Sequence, residues 1–413
     1  MGRMQLHWGL PAVVLAVLLY GCVGGDGSPS AAATSAPVAN VATLTVDAGP
    51  NAATGQINHA YVTVKVCSPG SSTGCATIDH VLLDTGSNGL RLVGSVLSAM
   101  ALSLPGETDS QGLNLEECVS FSGGQTWGPV ATGDVYLAGE KAAKVPLQVM
   151  DDSGASAPAP ATCGANGTLI NDVAGFGANG VMGVGVFAQD CGTACVSPAT
   201  PLPIYYGCNS AGACTAENAP VAQQVTNVVA AFSADNNGVI VNLPNLVNAN
   251  GDSSVQGELI FGLATQTDNA LPASGLTVLG TDANGDFRAS YNGSSTLLPA
   301  LMDSGTDAYA FDDQTIPPCS TGAFVGYYCP TVAPLAAFAQ NTGVGVNDAS
   351  NTVNFAIADP NTFVPGAAAF AGLGGGGGSS FFTWGMPFFY GQKVYVGIDQ
   401  RVSGAFTGPF YAY

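Results

Sequence analysis

The chain has 413 residues, 8 of them basic against 28 acidic, for a formal charge of −20. A surface of that sign repels phosphate backbones and excludes nucleic acid as a natural partner. Only 9% of residues are charged, 47% are hydrophobic, and 56 glycines and 25 prolines punctuate the sequence, which argues against a helical bundle and for a β-rich protein of one large or two medium domains.

The first element is an apolar run, GLPAVVLAVLLYG, behind Arg3. It has the shape of a secretory signal over residues 1–21, short for a membrane span and followed by no stop-transfer pattern. Leu19-Tyr20-Gly21-Cys22 resembles the bacterial lipoprotein box, which implies lipidation of Cys22. Val23 behind it implies sorting to the outer membrane. The plainer alternatives are an ordinary cleaved signal or an uncleaved anchor. Residues 22–45, rich in Ser, Pro and Ala, read as a lipidated, flexible tether. The expected location is the bacterial cell envelope, with a membrane attachment through the lipid.

Setting Cys22 aside leaves ten of the 11 cysteines, an even number in an oxidising compartment. Spacing suggests Cys67 with Cys75 and Cys319 with Cys329, which leaves Cys118 and Cys163 for each other. Cys191, Cys195, Cys208 and Cys214 pair either in order or nested, as 191–214 and 195–208. The same four are also a zinc-ligand set, but secreted thiols more often oxidise, so neither a metal nor another cofactor is expected.

Residues 57–66 and 78–83 read as strands, the second delivering Asp84 into the turn Asp84-Thr85-Gly86-Ser87. Residues 118–139 read as a hairpin with Gly123, Gly124 and Gly128 near its tip, and 218–232 as a helix. In the second half, strand-like 257–265 and 285–293 lead to TLLPALMDSGT, where an apolar strand again ends in Asp303-Ser304-Gly305-Thr306. The segment GLGGGGGSS lacks the GK[ST] ending of a phosphate loop and reads as a flexible loop. Asp282-Ala283-Asn284-Gly285-Asp286 opens like a calcium loop, but Gly293 stands where the bidentate Glu is needed, so a hairpin turn is expected. His59 and His80 are unaccompanied by G-x-S-x-G and read as ordinary strand residues. The half-boundary divides the chain into lobes 46–235 and 236–413.

In this order the motifs resemble the pepsin-like, bilobal aspartic peptidases, from about residue 55 to the C-terminus. The two Asp loops match that family's active-site loops. Val181-Met182-Gly183 and Thr383-Trp384-Gly385 match the segments that thread behind them. A nearer resemblance is to a bacterial family of predicted lipoproteins of unknown function. The resemblance implies an all-β, double-ψ β-barrel architecture with two lobes, a central cleft and few short helices. It also implies that Asp84 and Asp303 form a dyad holding one proton at acid pH. The handling of such dyads follows the well-known behaviour of aspartic proteases.

Under the same resemblance, Thr85 and Ser304 cross-link the two loops, Ser87 and Thr306 bond the outer carboxylate oxygens, and Gly86 and Gly305 let backbone N–H groups approach. The family's flap tyrosine and its tryptophan partner are replaced by Phe121 and Arg91, and Trp127 is a candidate lid at the flap tip. Asp307 adds an acid beside the second loop. The implied function is an aspartic endopeptidase acting on a polypeptide in the cleft. The alternative is a catalytically silent scaffold that binds a peptide or glycan. A monomer is expected.

Overall fold

The computed structural model describes residues 40–154, 156–163 and 168–413. The signal, Cys22 and the tether up to residue 39 lie outside those residues. Among the described residues helix is confined to two short α-turns, Gly94–Ala99 and Val173–Phe176, and a few 3₁₀ turns. No helix among the described residues is long and apolar enough to cross a membrane.

Strand β1 (Val41–Val46) comes first, then the hairpin of β2 (Ala60–Cys67) and β3 (Cys75–Asp84), then β4 (Asn88–Val93). An antiparallel run, β5 (Asn114–Phe121), β6 (Gly124–Leu137) and β7 (Glu140–Met150), precedes β8 (Gly180–Val184). A small hairpin, β9 (Tyr205–Cys208) with β10 (Cys214–Ala216), closes the first half. The second half opens with β11 (Gly238–Asn242), β12 (Val255–Phe261), β13 (Val278–Gly280), β14 (Phe287–Tyr291) and β15 (Leu298–Met302). It continues through β16 (Tyr309–Phe311), the hairpin β17 (Leu335–Thr342) and β18 (Ser350–Ile357), then β19 (Gly374–Gly376), β20 (Phe382–Trp384) and β21 (Lys393–Gly397). A last strand, Phe410–Ala412, pairs with β21.

Residue pattern explains the central strands. In β2, Val62, Val64 and Val66 are buried while Thr63 and Lys65 are exposed, the alternation of a sheet with one wet face. Its partner β3 alternates at first and then buries Val81, Leu82, Leu83 and Asp84 in succession, because that end runs into the protein's interior. Between the two regimes Asp79 and His80 face the single residue Thr63, a bulge marked by a left-handed φ of 46° at His80. The bulge lets one strand serve both an exposed hairpin and a buried loop.

Each half then repeats one motif. Strand β3 pairs in parallel with β8, placing Asp84 opposite Gly183, and β8 pairs antiparallel with β4. Likewise β15 pairs in parallel with β20, and β20 antiparallel with β16. In both, a strand threads behind the loop that leaves an aspartate strand.

Three expectations are corrected. The tether read over 22–45 ends sooner, since β1 is a sheet strand that buries Leu44 and Val46. It pairs with β12 along its whole length and with the start of β2. The helix expected over 218–232 is two 3₁₀ turns, Val221–Gln223 and Val229–Ala231. Between them the chain is held by other partners: Gln224 Nε2 donates to the carbonyls of Gly192 and Ala219, and Asn227 Nδ2 to those of Gly185 and Phe187. Buried amides tied sideways override the apolar spacing that suggested a helix. The glycine run is also no loose loop, because β19 lies in parallel register beside β16. A Cβ at Gly374 would sit 2.6 Å from Ile357, so glycine here permits close packing.

Five disulfides close among the described residues: 67–75, 118–163, 191–195, 208–214 and 319–329. The four-cysteine cluster pairs in order, which leaves no thiolate for zinc.

Candidate active site

The buried ends of β3 and β15 bring Asp84 and Asp303 together, near enough that the Asp84 carboxyl acts directly on that of Asp303. Each is held by its own loop in the same way. Asp84 Oδ1 accepts from Gly86 N at 2.8 Å and its Oδ2 from Ser87 Oγ at 2.5 Å. Asp303 Oδ1 accepts from Gly305 N at 2.8 Å and its Oδ2 from Thr306 Oγ1 at 2.6 Å. Glycine is required by the approach of the two loops: a Cβ at Gly86 would lie 2.7 Å from Asp303 Cγ, and one at Gly305 would lie 2.9 Å from Asp84 Cγ.

Beneath the carboxylates, Thr85 and Ser304 lace the halves together. Thr85 N donates to Ser304 Oγ at 3.1 Å and Ser304 N to Thr85 Oγ1 at 2.9 Å. Their hydroxyls in turn donate to the carbonyls of Met302 and Leu83. All four bonds are buried, so breaking one partner would strand another in a medium that cannot replace it. Burial, followed by the facing Asp84 carboxyl, holds Asp303 well above the usual carboxylate range. Asp303 therefore keeps its proton further up the pH scale than an ordinary carboxyl does.

Sequence reasoning missed two supporting residues. The Tyr411 hydroxyl, fully inside, donates to the carbonyl of Thr85 at 3.0 Å. Buried Asn58 donates to the carbonyls of Asp307 and Phe370, while its own oxygen accepts from Phe370 N and the Tyr390 hydroxyl. A tyrosine near a C-terminus carries no local signal. An isolated asparagine ahead of a strand shows only that some buried polar contact is needed.

The hairpin read as a flap is formed by β5 and β6, its turn at Ser122 and Gly123. Phe121 sits at that end and packs edge-on against Phe176, ring centroids 5.4 Å apart. Trp127 is not at the tip. It lies opposite Cys118, is 2% exposed, and donates Nε1 to the Ala157 carbonyl at 2.7 Å. Its ring meets Tyr206, so it fastens the flap's base to β9 and cannot act as a lid.

Arg91, fully buried below Phe121, donates to both carboxylate oxygens of Glu117, at 3.3 and 2.6 Å, and to Asp190 at 3.3 Å. The Tyr205 hydroxyl donates to Asp190 at 2.6 Å and accepts from Val225 N. One guanidinium cannot neutralise two buried carboxyls. Burial and neighbouring Asp190 accordingly raise Glu117 well above its ordinary range, against the opposing pull of Arg91. This cluster joins the flap strand to β4, the strand leaving the Asp84 loop.

On the other side of the dyad, Asp307 accepts a hydrogen bond from the Tyr327 hydroxyl. Burial raises its carboxyl and that hydrogen bond opposes the rise. A cleft of about 230 Å³ opens there, lined by Thr306, Asp307, Tyr327 and glycines of β19 among others.

Comparison with known proteins agrees with this geometry at the level of fold. The crystal structure of an aspartic proteinase from Irpex lacteus superposes with a TM-score of 0.52 at 15% identity, covering 90% of this chain and 96% of that one. The architecture is thus the pepsin-like one. No curated protein matches the sequence. A family model described as a protein of unknown function, DUF3443, matches residues 36–413.

Proposed function

This chain belongs to the DUF3443 family, and we propose that it is an aspartic endopeptidase that hydrolyses polypeptides at acid pH. One observation carries the reading: two carboxyl groups meet where their loops interlock, each with both oxygens held by equivalent donors from its own loop. The ionised member of the pair takes a proton from a water as that water attacks the scissile carbonyl carbon. The protonated member donates to the carbonyl oxygen, giving a gem-diol. Return of a proton to the amide nitrogen then releases the amine. The lacing of Thr85 and Ser304 keeps the carboxyls in register with no reorganisation at the moment of reaction.

The signal-like start and Cys22 support a place in the cell envelope, attached through an N-terminal lipid. Replacement Cys22→Ser should move the protein from the membrane fraction to the soluble one; unchanged fractionation would remove the anchor from the proposal.

Cleavage of an unfolded protein substrate between pH 3 and 7 tests the activity. Asp84→Asn and Asp303→Asn are each expected to lower the rate by about 10³-fold or more, the scale of lost acid–base catalysis. A folded, disulfide-intact wild type that cleaves nothing across this range would leave a scaffold that binds its peptide or glycan without cutting it.

A further inference from the structure

We propose that the cleft beside the dyad is a subsite for a cationic side chain, Lys or Arg, of the bound polypeptide, read by Asp307 and Tyr327. The inference rests on the reading that a polypeptide occupies this cleft. The cleft shares a wall with the catalytic pair, because Thr306 both lines it and donates to Asp303. Most of its remaining wall is small: Ala308, Ala310, Gly326, Gly375 and Gly376. A volume of about 230 Å³ between such residues leaves room for a long, unbranched stem lying along apolar surface.

At this wall the Asp307 carboxyl is half-buried and accepts from Tyr327. Among the described residues no Lys, Arg or His lies within ion-pair distance of it. A carboxylate drawn partly out of water without a cation is costly unless a partner arrives from elsewhere. The chain is built to present it nonetheless. Asn58 Nδ2 fixes the Asp307 carbonyl at 2.7 Å. Tyr327 is carried by the loop that Cys319 and Cys329 close, and it bridges to Gly375 of β19. An ammonium or guanidinium in the cleft would supply the missing charge and meet a preset acceptor.

The test uses two matched peptides that differ only in Lys against norleucine, placed in turn at each position flanking the scissile bond. Both kcat/KM for the wild type and Kd for the cleavage-deficient Asp303→Asn protein are measured from pH 4 to 7. At one position Lys is expected to be favoured about tenfold or more where Asp307 is ionised, and Asp307→Asn should bring that ratio close to one. Tyr327→Phe, a second variant in case the first misfolds, should lower the ratio partway. Equal values for the two peptides at every position would overturn the subsite, as would a ratio that survives Asp307→Asn, since the diffuse negative field of the protein would then be its source. If no peptide is cleaved, the Kd ratio alone decides: a Lys preference that Asp307→Asn removes keeps the subsite while the peptidase reading falls, and equal Kd values overturn the subsite as well.

Discussion

The two aspartate loops are near copies, but their surroundings are not. Ser87 in one half and Thr306 in the other donate to equivalent oxygens, and β8 and β20 thread behind them alike. Beyond each loop the halves part. The first continues as Asn88-Gly89-Leu90-Arg91 and buries an ionic cluster under its flap, whereas the second continues as Asp307-Ala308-Tyr309-Ala310 and lays its charge open to the cleft. Behind the second loop lies an aromatic group instead, in which Phe311 and Phe382 stack at 5.5 Å and Trp384 meets Phe355 at 5.3 Å. Shared chemistry restrains only the groups that touch the carboxylates; packing a few ångströms away is free to take an ionic or an aromatic solution.

The strongest way to break this comparison is to remove the ionic solution. Arg91→Met leaves Glu117 and Asp190 buried without their cation, and should cost about 3–5 kcal/mol in chemical denaturation. A loss below about 1 kcal/mol would mean the cluster is not load-sharing and the flap is held by its disulfide and sheet pairing alone. The equivalence of the loops is tested by Ser87→Ala and Thr306→Ala. Each removes one hydrogen bond to a carboxyl of a pair that shares one charge, about 1–3 kcal/mol, and should lower kcat/KM roughly tenfold or more. Markedly unequal losses would show that the two carboxyls do unequal work.

A third expectation concerns stability rather than rate. Because Asp303 is raised in the folded state, the fold binds a proton more tightly than the unfolded chain, so its contribution is present in acid and is lost as pH rises through the folded-state value. Asp303→Asn removes that titration, so the variant should lose less stability than wild type when thermal melting is followed from pH 4 to 7. A wild-type slope retained in the variant would place the proton elsewhere. The smallest effect is expected at Glu217, pushed up to about 7 by burial and by the hydrogen-bonded Asp109. Its contribution also favours acid and fades as pH rises towards 7, and Glu217→Gln should slightly flatten the fall of melting temperature with pH between about 4.5 and 7.

What could be read in the sequence follows the same division. Asp84 and Asp303 stood out because a charged residue at the end of an apolar strand is rare, and because the construction occurs twice. The segments around Met182 and Trp384 were legible by their order relative to those loops. The Arg91 cluster was not, since Glu117 and Asp190 lie 26 and 99 residues away and no spacing announces them. The lid reading of Trp127 failed on two counts: the hairpin turns earlier, at Ser122 and Gly123, and the burial of the indole depends on Tyr206 and Ala157, which approach from distant segments. The glycine run misled because composition reports what glycine allows, and only a neighbour such as Ile357 shows whether freedom or close packing is being used.

Strand β1 gives the molecule a mechanical character. It enters the sheet with six residues registered on β12, from Val41 opposite Ile260 to Val46 opposite Val255, and its far end also holds β2. A pull on the chain ahead of residue 40 therefore loads a row of transverse hydrogen bonds together, in shear, instead of peeling them singly. Tension would be shared between strands of both halves before it reached the loops that carry the aspartates.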